Sequence, residues 1–489
     1  MSTVGAYAVE RDYSHYVAYA SKTTLAVVGT ASKGPIGEAV AVTSSQDLVN
    51  KFGSLRTDCL GLYAGQYFLS QASKLYFVRA AGESAASSKA SISGVNASDS
   101  EVDSIKLEFI EKGTFSDNYT VTVTPVDSTD KYTLVLKTDK GTTIETIKEV
   151  TFDDLSVGYQ SGYLKVTEVD PQTASLVSGT YTFSGGNNGT SDITSGDYIT
   201  AANTLAADSV DINLIAIPGV TEAAVITAVL SLAETRGDCL YLVDTPQGLT
   251  RDGVIEWVNG SGSYEHAAFN SSYGAVYYDW VTIYDSINKT NVVVPPSVVA
   301  CATYAYSDRT TDLWYAPAGL QRGLIRGALN TVTPLNKSDI ELLYESNINA
   351  IYDDPQVGLV LWGQKTLYRE NTALNRINVR RLMNYLKKVI TGACNYLVFE
   401  PNDRVTWNSF EMKVIPTLNS IKNRRGIYEY KVVKGETIVT DEDIDNYRMP
   451  CMILIRPVKA AEEIPIYFVI TSTGADFNEV LEANSVIID

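Results

Sequence analysis

The segment Gly358–Thr366 (GLVLWGQKT) holds the residue types of a phosphate-cradling loop: two glycines, then a lysine and a threonine. Such a loop needs Gly-x-x-x-x-Gly followed directly by Lys and Ser/Thr. Backbone amides then face the phosphates, the ammonium reaches them and the hydroxyl reaches Mg2+. Here Gln364 separates Gly363 from Lys365 and moves both side chains out of register, so no nucleotide site is expected. Leu240–Asp244 (LYLVD) has the form of an apolar strand ending in a Mg2+-holding carboxylate. The same pattern is common in α/β folds, and the expected role of Asp244 is to cap a following turn.

The remaining reactive side chains are few. His15 and His266 are the two histidines, and neither stands in a nucleophile or metal-ligand constellation. Tyr13, Tyr16 and Tyr19 surround His15, which suits a surface or interface position. Cys59, Cys239, Cys301, Cys394 and Cys451 are widely spaced, odd in number and free of any CxxC pair. Neither a disulfide framework nor a zinc site is expected, and folding in a reducing cytosol is. Cys394 lies between two amphipathic segments and is expected in a core. These readings leave no catalytic residue, no cofactor and no metal.

At 489 residues the chain is long enough for two to four domains. With 45% hydrophobic and 20% charged residues it can build ordered cores. Its formal net charge of −18 argues against binding nucleic acid or an anionic membrane. The opening MSTVGAYAVERDYSHYV lacks a basic stretch followed by an apolar one, so no secretion signal is expected. No apolar run reaches the roughly 18 residues of a membrane span. Charge is segregated. Lys365–Lys434 carries 14 Lys/Arg against 5 Asp/Glu, a balance of +9 that leaves −27 for the rest. A basic segment on an acidic chain points either to an acidic partner surface or to exposed helix faces that are basic without a partner.

The elements that must position these residues change character along the chain. Leu25–Thr30 and Leu75–Ala80 read as strands, with Ser44–Phe52 and Leu60–Ser73 as helices between them. Residues 84–190 are rich in Ser, Thr, Gly and Asp and alternate at period two, as in YTVTVTP, KYTLVLK and YLKVTEV. That is the pattern of half-exposed strands. The α/β pattern resumes with Ile212–Ile217, Thr221–Thr235 and Cys239–Asp244, and residues 295–345 read as loop-rich. Val379–Ile390 and Thr406–Ile421 each place apolar residues on one helix face, and Pro416 is expected to kink the second. Tyr428–Val433, Met452–Pro457 and Ile464–Thr471 read as strands. The expected architecture is mixed α/β and multidomain. It comprises an N-terminal arm (1–20), a discontinuous α/β middle domain (21–91 and 191–345), an inserted all-β outer domain (92–190) and a C-terminal α/β domain (346–489).

In this order the motifs resemble the contractile tail sheath family of phage tails, R-type bacteriocins and contractile injection systems. The match rests on Gly29, Gly34, Pro35, Thr43, Ser44 and Phe52–Gly53 in the opening block, then YFVRA (Tyr76–Ala80), VPPS (Val294–Ser297) and WYAP (Trp314–Pro317). It continues through LNKSDIELLYESNINAI (Leu335–Ile351), Trp362–Gly363, Thr366, Arg380–Arg381 and IPIYFVITSTGADF (Ile464–Phe477). The N-terminal signal departs from the family pattern, reading VGAY (Val4–Tyr7) without its proline.

The resemblance implies a structural protein, not an enzyme. It implies hexameric rings of this chain stacked helically around an inner tail tube protein, with baseplate and tail terminator proteins as further partners and no direct nucleic-acid or membrane contact. It places the chain in the tail sheath of a virion or an equivalent contractile particle, assembled in the bacterial host cytoplasm. It implies an innermost C-terminal domain, so Lys387, Lys388, Lys413, Lys422, Arg424 and Arg425 are candidates for touching the tube. It also implies exchanged terminal strands, with Val4, Ala6, Tyr7, Val9, Val486, Ile487 and Ile488 as candidates. The alternatives are an α/β NTPase-type enzyme and an exported surface or S-layer-like adhesin.

Overall fold

Strand β1 (Leu25–Gly29) is buried at every position, and its residues alternate between two apolar cores. Leu25 and Val27 enter one, Ala26 and Val28 the other, as in a strand covered on both faces. The computed structural model describes residues 23–464, apart from Ala97, Asp99 and Ser128. The terminal-strand candidates Val4, Ala6, Tyr7, Val9, Val486, Ile487 and Ile488 therefore lie outside the described residues, as do His15 and nearly all of the expected strand Ile464–Thr471. One compact unit runs to Val458, and the described part of the second, 459–464, holds no helix or strand.

Along the chain, β2 (Ala39–Val42), α1 (Ser45–Phe52), α2 (Leu60–Leu69) and β3 (Leu75–Arg79) follow β1. Ser44 caps α1 by accepting from the Asp47 amide. Next come β4 (Lys89–Asn96), β5 (Glu101–Phe109), β6 (Thr120–Pro125), β7 (Lys131–Lys137), β8 (Thr143–Thr151), β9 (Leu164–Val169), β10 (Thr173–Leu176) and β11 (Gly179–Thr182). These make two antiparallel four-stranded sheets, ordered β10-β4-β5-β9 and β11-β6-β7-β8. Both feed one core. Ile92, Ile105 and Leu107 from the first sheet meet Val121, Val123, Leu134 and Leu136 from the second. These are the inward positions of the alternating sequence.

The chain then returns through α3 (Ser195–Asn203), β12 (Leu214–Ala216), α4 (Ala223–Arg236), β13 (Leu240–Asp244), α5 (Arg251–Asn259) and β14 (Gly274–Tyr278). It continues with β15 (Val281–Asp285), β16 (Thr290–Val294), α6 (Pro296–Thr310), α7 (Gly319–Arg322), β17 (Ala328–Thr331), α8 (Lys337–Glu345), β18 (Ile348–Asp354) and β19 (Gly358–Trp362). The main sheet, ordered β19-β18-β14-β13-β12-β1-β3-β2, is parallel at its centre and closed by antiparallel strands at both edges. Helices α2 and α6 cover one face; α3, α4, α5 and α8 cover the other.

Helix α6 corrects the expectation of a loop-rich stretch. Its Val298, Cys301, Thr303, Tyr304, Ser307 and Asp308 are all buried. A helix enclosed on all sides shows no apolar stripe, which hides it from a periodicity argument.

The last part comprises α9 (Ile377–Cys394), α10 (Arg404–Asn423), β20 (Ile427–Val433), α11 (Asp441–Asp445) and β21 (Met452–Pro457), with β20 and β21 antiparallel. Leu382 and Leu386 of α9 pack with Phe410, Val414, Leu418 and Ile421 of α10 and with Trp314. Helix α10 continues through Pro416. The carbonyl that loses its partner there, on Met412, belongs to a residue that is 69% exposed, so water can satisfy it. The chain is thus mixed α/β with several sheets.

Arg79 ends β3 at the place where the β-sandwich leaves and rejoins the main sheet. It is fully buried and donates to the carbonyls of Gly34 (2.9 Å), Lys112 (2.6 Å) and Asn188 (3.3 Å). Burial pushes its guanidinium pKa down to about 10.

Candidate functional site

The phosphate-loop look-alike is a strand and its corner. Gly358–Trp362 is edge strand β19, paired antiparallel with β18, and the next α-helix starts only at Ile377. Asn349 takes up the backbone behind it. Its Oδ1 accepts from the Lys365 amide (2.8 Å), and its Nδ2 donates to the carbonyls of Lys365 (2.8 Å) and Val276 (3.0 Å). A Cβ on Gly363, which sits at φ 139°, would meet the Asn349 Oδ1 at 2.7 Å. Thr366 Oγ1 donates to the Leu374 carbonyl (3.0 Å). These groups brace a turn and do not converge on a ligand.

In a doubly wound sheet, ligands enter the crevice where the strand order reverses, here between β1 and β12. Beyond β12, a Cβ on Gly219 would lie 2.7 Å from Leu60, with Trp280 also in contact, so side chains fill this place. The Gly219 amide donates to Asp244 Oδ2 (3.0 Å). Asp244 also accepts from the Ser297 amide (2.7 Å) and hydroxyl (2.7 Å), which ties β13 to the first turn of α6. The capping role is therefore real but reaches across the sheet, to the serine of VPPS, and not to the following turn. Burial pushes the Asp244 carboxyl up to about 6 against these hydrogen bonds.

Helix α9 carries the polar contacts that its sequence conceals. Its apolar stripe meets α10, and its polar side meets the central body. Arg381 pairs with Asp308 of α6, side chains 3% and 1% exposed. Asp308 also accepts from the Thr23 hydroxyl. Burial penalises the Arg381 guanidinium, yet the adjacent Asp308 charge raises its pKa. Arg381 lies 4.8 Å from the ring of Tyr304, whose hydroxyl is 2.8 Å from that of Tyr277. Arg380 stacks 4.1 Å over Tyr273, and Asn384 donates to the Cys239 carbonyl (2.9 Å).

The six candidates for tube contact divide accordingly. Lys387 donates to the Tyr273 hydroxyl (2.8 Å), and Lys388 pairs with Asp211 and, at 3.6 Å, with Asp238. Arg424 pairs with Asp312 and stacks 4.9 Å over Trp314. Lys413 is exposed beside Tyr396. Lys422 and Arg425 are exposed at the end of α10, Arg425 in a left-handed conformation (φ 62°). The sequence shows where the positive charge lies but not that Asp211, Asp238 and Asp312, far away in the chain, come to meet two of these residues, Lys388 and Arg424. His266 stacks on Phe269 (4.7 Å) in an aromatic cluster with Trp257 and Tyr264. Cys394 is half-buried and its thiol pKa is raised by burial. Among the described residues no group of three or more His, Cys, Asp and Glu is arranged to hold a metal, and no helix is long and apolar enough to cross a membrane.

Two family profiles match consecutive stretches: the phage tail sheath protein central domain over residues 191–367, and the phage tail sheath C-terminal domain over 369–471. The tail sheath protein of Enterobacteria phage T4 is 33% identical over 320 residues, 62% of this chain and 49% of the relative. The chain spans about half the length of the curated relatives it matches, 40% and 49% of two of them. Its fold is similar to the sheath tail protein of Listeria innocua, with a TM-score of 0.65 at 14% identity over 91% of this chain and 95% of the other. It is also similar to the sheath of an extracellular contractile injection system in its contracted state, with a TM-score of 0.58 at 17% identity over 98% of this chain and 100% of the other.

Proposed function

This chain belongs to the phage tail sheath family, and from that premise we propose that it is a structural subunit of a contractile sheath. Copies form rings of six, stack helically around an inner tube and contract to drive the tube through a target envelope. The observation that carries this reading is the unbroken succession of the family's central and C-terminal domains over residues 191–471. The geometry agrees with it. The crevice of the doubly wound sheet is filled by side chains, and the polar residues of α9 join one body to the next.

In this reading 92–190 is an outer domain inserted into the middle domain, and 346–489 is an inner domain facing the tube. Lys413, Lys422 and Arg425 are the residues free to meet an acidic tube surface. Such a contact is screened by salt and can release during contraction. Residues 1–20 and 484–489 act as arms that add strands to a neighbour's sheet and hold bodies together while they rotate. An extra ~400 Å2 of apolar contact per subunit would supply on the order of 10 kcal/mol before losses. The ends of the cylinder meet baseplate and terminator proteins, and the particle is a virion tail or its equivalent, assembled in the bacterial cytoplasm.

Electron microscopy of the chain co-expressed with its tube protein tests the reading. Cylinders around tubes are expected, and a variant lacking residues 1–15 should fold as a monomer that forms none. An S-layer-like protein would give flat arrays, and an NTPase would bind nucleotide without assembling.

A further inference from the structure

A cavity of about 290 Å3 opens on the central body between α2 and α6. Tyr67, Gln71, Tyr306, Leu324 and Arg326 line it. Two guanidinium groups gather at its aromatic wall. Arg326 stacks 3.8 Å from the ring centre of Tyr306, and Arg309 lies 5.7 Å from the same ring. Arg309 also donates to the Gln71 side-chain oxygen (3.0 Å). Neither arginine meets a carboxylate among the described residues, although the chain has a formal charge of −18. An arginine stacked on tyrosine, with its fork of donors open, is a receptor for carboxylates.

The same chain carries the complementary shape. Helix α11 (Asp441–Asp445, DEDID) projects Asp441, Glu442 and Asp445, and none of them is in an ion pair among the described residues. Asp443 is occupied by Thr440 and Arg448. Beside these carboxylates stand Ile444, 39% exposed, and Tyr447, 96% exposed and in a left-handed conformation (φ 57°). An aromatic and an aliphatic side chain ringed by free carboxylates fit a cavity walled by tyrosine and leucine and rimmed by arginine.

We propose that the acidic knob Asp441–Tyr447 of one copy docks in the Arg309/Arg326 cavity of a second copy. The occupant is chosen by charge complementarity and by the apolar residues present on both sides. Knob and cavity are different patches, so a contact not repeated about a two-fold axis is head-to-tail, the kind that closes rings or winds helices. The inference rests on the reading of the chain as a self-assembling subunit and names a contact within that assembly.

Two full-length variants test it, Arg309→Glu/Arg326→Glu and Asp441→Lys/Glu442→Lys/Asp445→Lys, followed by sedimentation and electron microscopy. Each alone should raise the concentration needed for assembly at least about tenfold. An equimolar mixture should assemble at a lower concentration than either variant alone, because alternating copies make only native or charge-swapped contacts. Unimpaired assembly of either variant alone, or a mixture that stays unassembled, overturns the docking. Wild-type protein that never assembles, with or without a tube, overturns the sheath reading instead.

Discussion

Arg381 of α9 and Asp308 of α6 form an ion pair out of reach of water, and this pair joins the stretch matched by the C-terminal profile to the one matched by the central profile. Two charges in such a place gain only if they stay together. Arg381→Met should lower folding stability by about 3–5 kcal/mol, because Asp308 is left buried and uncompensated. The double variant Arg381→Met/Asp308→Leu should recover most of that loss. Chemical denaturation of the three proteins measures it, and additive losses would show that the two residues act independently.

Asp244 gives stability a pH signature. Its carboxyl titrates near 6 in the fold against an ordinary 3.8, so the folded state holds its proton more tightly than the unfolded chain. Stability from this group is complete below the ordinary value and is lost as pH rises through about 6, by at most about 3 kcal/mol. Urea midpoints measured from pH 4 to 7 should show wild type falling relative to Asp244→Asn as pH rises, because the amide carries no proton to lose. Parallel curves would remove Asp244 from this role.

The sequence and structure diverge in instructive places. Alternation revealed the sandwich strands because one face of each is wet: Val121 and Val123 point inward while Thr120 and Thr122 do not. The apolar stripes of α9 and α10 were legible for the same reason. Helix α6 was hidden because it is buried all round. For the candidate site, local sequence showed that Lys365 is out of register for phosphate. It could not show that Asn349 braces that turn or that Ser297 binds Asp244, since both are contacts between distant parts of the chain.

Arg79 pins the passage between sheet and sandwich. Replacing it with Met leaves the carbonyls of Gly34, Lys112 and Asn188 without this donor, each at a cost of about 1–3 kcal/mol where no water enters. Limited proteolysis should then cut near residues 111–113 and 185–189 while both cores stay protected. An unchanged digestion pattern would show that the passage is held by other contacts.

Charge reversal separates fold from partner contact in the basic segment. Lys422→Glu/Arg425→Glu changes exposed residues and should leave folding stability within about 0.5 kcal/mol of wild type while weakening assembly on the tube. Lys388→Glu sets a carboxylate against Asp211 and Asp238 and should destabilise the monomer by more than about 1 kcal/mol. A tube-binding defect confined to Lys388→Glu would move the contact elsewhere.

The central claim is that identical bodies do work by changing how they pack. Helical reconstruction of the assembled particle before and after contraction, in buffer free of nucleotide, tests it most directly. The account predicts two lattices of different diameter and axial rise, with the Arg381–Asp308 pair intact in both. A single lattice under every condition, or a change that requires nucleotide, would contradict it.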